Sequence, residues 1–109
     1  MDGQAQRRLA DNEGLFRETN EAIERGQWPN EPGKLIRFRC ECYRLTCGEA
    51  IEASLAEYEQ VRKFPRRFLV ADGHNLPDVE VVVDATDRFV VVEKTDAAGE
   101  EAAATDPRE

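Results

Sequence analysis

The chain is poor in the residues on which most enzymatic chemistry depends: it has one histidine, three cysteines, one tryptophan and seven scattered glycines among 109 residues. None of those glycines falls in a G-x-x-x-x-G-K pattern, so a phosphate-binding loop has no support. Ser54 has no second histidine to activate it if His74 is used elsewhere, which leaves it better explained as a helix cap than as a nucleophile and makes a hydrolase an unpromising reading. We therefore expect no enzymatic activity. No apolar run exceeds four residues, far short of the roughly 20 that cross a bilayer. The N-terminal MDGQAQRRLADNEG likewise lacks the apolar segment of a secretory signal. The expectation is a cytoplasmic protein with no membrane partner. Positive charge is also in deficit, 15 basic against 23 acidic side chains for a net charge of −8, which repels polyphosphate and argues against nucleic acid as the main partner.

Where cysteine does occur, it is concentrated. Cys40, Cys42 and Cys47 form a C-x-C-x4-C cluster. An odd number of cysteines, two of them one residue apart, is a poor disulfide framework and suits a reducing compartment in which thiols bind metal or stay free. Adding His74 gives three sulfurs and an imidazole, a complete tetrahedral set for Zn2+ that leaves no open position for water and so points to a structural ion. Gly48 is expected to give the backbone the sharp bend of a knuckle around the ion. Alternatives stay open at this level. Glu41 or Asp72 would serve as a fourth ligand in place of His74. Without metal, Cys40 and Cys42 would be small buried apolar groups, and Cys42 with Cys47 would be the pair to close a disulfide, because alternate strand residues such as Cys40 and Cys42 hold their Cβ atoms too far apart.

Patterning places these residues on elements. Residues 4 to 26 predict a helix with Leu9, Phe16 and Ile23 as a thin apolar stripe, Leu15 beside it and Gly26 at its end. Trp28-Pro29 and Pro32-Gly33 mark a loop, with Trp28 expected to cover the edge of the core. From Leu35 the period is two, putting Ile36, Phe38, Cys40 and Cys42 on a buried face and Arg37, Arg39 and Glu41 on the other. Ala50 to Ala53 would return as the partner strand. Ser54-x-x-Glu57, in preference to Thr46-x-x-Glu49, opens a helix with Leu55, Tyr58, Val61 and Phe64 on one face, stopped by Pro65. Strands follow at 67 to 70, 79 to 83 and 89 to 93, the last two joined by a turn at Asp84 to Asp87. Arg62, Lys63, Arg66 and Arg67 form one basic patch, read either as a phosphate or acidic-protein contact or as a solvated helix end. The segment TDAAGEEAAATDPRE carries five acids (Asp96, Glu100, Glu101, Asp106, Glu109) against Arg108 and has no aromatic or branched aliphatic residue. These features predict an α+β fold with an N-terminal helix, a zinc-knuckle β-hairpin, a central helix and C-terminal antiparallel strands on one mixed or antiparallel sheet. A single zinc-stabilised domain over 1–94 would be followed by a disordered acidic tail over 95–109.

The run FRCEC at 38 to 42, Cys47, AEYEQVR at 56 to 62, and RRFLV followed by Gly73-His74 together resemble an uncharacterised family of short acidic bacterial proteins, over most of residues 13 to 94. The resemblance implies only that Cys40, Cys42, Cys47 and His74 belong to one recurring pattern. The set also shares its composition with the CDGSH iron–sulfur proteins, but their histidine follows closely after the third cysteine, whereas His74 is far downstream; a two-iron cluster is a minor alternative. The reading that results is a small zinc-binding interaction or regulatory module with an unknown protein partner. A thiol-based redox sensor that releases zinc on oxidation is the alternative, and a small metalloenzyme comes last.

Overall fold

The computed structural model describes residues 1–27 and 31–108; the expected roles of Trp28 and of the Trp28-Pro29 turn lie outside the described residues. The fold is α+β. Helix α1 spans Gly3–Arg25, strands β1 (Leu35–Arg39) and β2 (Ala50–Ser54) form a hairpin, and helix α2 covers Leu55–Arg62. Strands β3 (Arg67–Val70), β4 (Glu80–Ala85) and β5 (Val90–Lys94) precede a last helix, α3 (Asp96–Ala104). Two small antiparallel sheets, β1-β2 and β3-β5-β4, take the place of the one sheet expected.

The hairpin forms as its alternation dictates, with Ile36 opposite Ala53 and Phe38 opposite Ile51, all four buried. Ser54 ends β2 and starts α2 through a complete capping box. The Glu57 N–H donates to the Ser54 hydroxyl, and the Ser54 N–H donates back to the Glu57 carboxylate. Helix α2 ends at Arg62, ahead of Pro65, and buries Tyr58 and Val61 while Phe64 stays exposed. Tyr58 stacks on Phe38 with ring centroids 4.5 Å apart, which ties helix to hairpin. In the second sheet β5 is central and buried. Strand β4 is an edge whose Val81, Val82 and Val83 are exposed on a ladder interrupted by a register shift between Val82 and Asp84.

Two expectations about the ends of the chain need correction. The face of α1 that packs inward is Ala10, Glu13, Phe16, Arg17, Asn20 and Glu21, a mostly polar stripe; Leu9 and Ile23 are only half-buried and Leu15 is 56% exposed. Each buried polar group has a partner on another element. Glu13 meets Lys94, Arg17 donates to the carbonyls of Pro65 and Ala102, and Glu21 accepts from Tyr58, Arg62 and Arg108. The expected disordered tail is instead helix α3, packed on α1, with Ala98, Gly99 and Ala102 buried and Gly99 set against the Lys94 carbonyl at the end of β5. Small side chains allow the two helix axes to approach closely, so an element without large apolar residues still docks. Beyond it, Asp106 binds Arg62, and Arg108 reaches Glu21, Glu24 and Glu59. The basic patch dissolves accordingly: Arg62 is buried in ion pairs, Arg67 pairs with Glu93, and Lys63 and Arg66 stay exposed.

Candidate metal centre

Strand β1 stops at Arg39, and the next two residues divide between the two sheets. The Cys40 N–H donates to the Glu49 carbonyl at 3.0 Å, extending the hairpin, while the Glu41 N–H donates to the Leu69 carbonyl at 2.8 Å on β3. The knuckle therefore stands where the sheets meet. A tight turn closed by the Cys47 N–H on the Arg44 carbonyl (3.0 Å) brings the third cysteine back. On the opposite side β3 runs into a turn closed by the His74 N–H on the Ala71 carbonyl (3.0 Å), with Gly73 at φ +81°. That left-handed conformation suits glycine and turns the imidazole toward the sulfurs. Gly48, assigned this role from the sequence, is not in the left-handed region; Gly73 is.

All four predicted residues converge. One ligand atom from each of Cys40, Cys42, Cys47 and His74 lies within 4.8 Å of every other, an arrangement compatible with a metal site. His74 Nδ1 sits 3.6 Å from both Cys40 Sγ and Cys47 Sγ. Zinc bonds of about 2.3 Å to sulfur and about 2.05 Å to nitrogen, set at the tetrahedral angle, place sulfur and nitrogen about 3.6 Å apart. The cysteines are buried and His74 is half-buried, so the cluster lies just beneath the surface. Neither carboxylate weighed as a substitute ligand joins it: the oxygens of Glu41 accept from Asn20 and Leu69, and Asp72 is exposed.

Electrostatics favour a cation here. Burial pushes the Cys40 and Cys42 thiols above their ordinary range; Cys42 and Cys47 add to the effect at Cys40, whereas at Cys42 the Cys47 sulfur adds to it and the hydrogen bond with Cys40 opposes it. Three thiolates confined this closely require a compensating positive charge, which a divalent ion supplies as the thiol protons leave. The Ala71 N–H already donates to Cys40 Sγ at 3.2 Å, and its dipole favours the charged sulfur. Ser54 and Glu57 are occupied in the α2 cap.

Two residues that shape the centre escaped the sequence reading. Glu41, expected to face outward, is 0% exposed, because the strand alternation ends at Arg39 and the chain crosses to β3; burial pushes its carboxyl up to about 7. Asn20 was hidden within α1, where its only sequence signal is that asparagine is a weak helix former in a helix interior. No family model, curated protein or solved structure matches the chain.

Proposed function

We propose that Cys40, Cys42, Cys47 and His74 hold one Zn2+ ion as a structural centre, and that the protein is a non-enzymatic module working through contact with another protein. The observation that carries the metal reading is the convergence of the four donor atoms within 4.8 Å, with sulfur-to-nitrogen separations matching tetrahedral zinc. Four protein ligands close the coordination sphere, leaving no site for an activated water. The single histidine of the chain is consumed in that sphere, which removes the usual general base. An interaction role is supported by exposed apolar side chains at Leu45, on the knuckle turn, and at Val81, Val82 and Val83 on β4. The redox-sensor alternative fits less well, because all three cysteines are buried and an oxidant in solution reaches them poorly.

Elemental analysis of the purified chain is the direct test. Zinc is expected at one equivalent, lost in Cys42→Ser and reduced in His74→Ala. Cobalt substitution should give the absorption of a four-coordinate centre with three sulfurs and one nitrogen. Full zinc retention by His74→Ala would remove the imidazole from the sphere and reopen the case for a catalytic ion, and a wild-type chain free of metal would end the reading.

A further inference from the structure

We infer that Asn20 of helix α1 is a positioning residue of the metal centre, acting through Glu41, although it lies far from the cysteines in sequence and ligates nothing; the inference rests on the metal reading above. Asn20 is buried, and its carboxamide satisfies the Arg39 backbone on the edge of β1 that faces away from β2. The Arg39 N–H donates to Asn20 Oδ1 at 2.7 Å, and Asn20 Nδ2 donates to the Arg39 carbonyl at 2.8 Å. One side chain thus does for Arg39 what an adjacent strand does elsewhere in the sheet. The same Nδ2 donates to Glu41 Oε2 at 2.7 Å. Glu41 is held from its other side as well, its Oε1 accepting the Leu69 N–H at 2.8 Å while its own N–H donates to the Leu69 carbonyl.

Residues 39 and 41 are therefore clamped on either side of Cys40, and Glu41 is the only residue between Cys40 and Cys42. The direction of both Cα–Cβ bonds is fixed by groups that never touch the ion. Partners of this kind set how far ligands must reorganise on binding, and their loss typically weakens metal affinity by about 10- to 100-fold. Among the described residues no other buried polar group of α1 hydrogen-bonds to residues 39–41. Glu13 contacts Lys94 at the opposite end of the buried stripe, which makes it a control for mere loosening of the helix.

Zinc affinity of the full chain, measured by competition with a chromophoric chelator, tests the assignment. Asn20→Ala is expected to bind zinc about 10- to 100-fold more weakly, with the cobalt spectrum still that of three sulfurs and one nitrogen. Glu13→Gln should stay within about twofold of wild type, as an independent site does. The pair Asn20→Asp and Glu41→Gln exchanges carboxamide and carboxylate. Each single change should weaken binding, and the double variant should recover the part of the loss that belongs to the contact between residues 20 and 41, though not the bond to the Arg39 carbonyl; this also decides the matter if Asn20→Ala fails to fold. The inference falls if folded Asn20→Ala binds zinc as wild type does, if Glu13→Gln loses as much, or if the two exchange variants are simply additive. A wild-type chain that takes up neither zinc nor cobalt would instead overturn the metal reading itself.

Discussion

At the scale of single residues, the chain places charge where apolar packing is the usual solution. Lys94 is buried between Glu13 and Glu80, and the second oxygen of Glu13 has no partner among the described residues. One cation between two carboxylates leaves an excess negative charge in the interior unless a proton is taken up. Burial accordingly raises the Glu13 carboxyl from 4.5 to about 8, with Glu80 adding to the shift and Lys94 opposing it. The folded protein binds this proton more tightly than the unfolded chain does. The contribution to stability is thus complete below about pH 4.5, declines as pH rises, and is gone above about pH 8. Glu13→Gln, which cannot ionise, should show a smaller fall in its urea midpoint between pH 6 and pH 9 than wild type. Equal slopes for the two proteins would show that Glu13 is ionised throughout.

At the scale of elements, close approach of α3 to its surroundings gives glycine opposite values in two helices. A Cβ at Gly99 would lie 2.7 Å from the Lys94 carbonyl oxygen and 2.9 Å from an Arg66 guanidinium nitrogen, so the backbone must move. A Cβ at Gly14 of α1 would meet nothing nearer than Thr105 Oγ1 at 3.9 Å. Gly99→Ala should therefore cost about 1–3 kcal/mol, as overpacking does. Gly14→Ala should gain about 0.4–1 kcal/mol by restricting the unfolded chain. Thermal unfolding of both variants checks the signs, and stabilisation by Gly99→Ala would show that α3 does not press on the end of β5. The helix α3 itself was not legible in the sequence, because large apolar residues mark a docking surface and small ones do not. The hairpin, the Ser54 cap and the strand group were legible, since period-two alternation and the capping box are local signals. The inward face of α1 was misread for the complementary reason: Glu13, Arg17, Asn20 and Glu21 look like a solvated surface until their distant partners are in view. At the centre, the ligands stood out by residue type, whereas Asn20 and Glu41 are common residues whose role exists only in the assembled fold.

At the scale of the whole molecule, the proposed ion sits at the junction of the two sheets, with β1 and β2 contributing one side and β3 the other. Its removal should loosen that junction and with it the whole cooperative unit. A ligand that binds only the folded state stabilises by about 4 kcal/mol when its free concentration is a thousand times Kd. For a domain of this size each kcal/mol corresponds to about 4–8 °C in Tm. Calorimetry before and after treatment with a strong chelator should therefore show a fall of more than about 10 °C, restored by added zinc. An unchanged Tm after verified metal removal would mean that the four side chains are held by the fold and contribute little to it.

The outer edge of β4 carries a different liability. Among the described residues no strand pairs with that side, and Val81 and Val82 are each 50% exposed. Unpaired backbone amides beside three consecutive β-branched side chains are a template for intermolecular strand association, which the irregular ladder between Val82 and Asp84 only partly blunts. High protein concentration is the stress this edge invites, and the excess of acidic side chains acts as a colloidal safeguard by keeping copies apart.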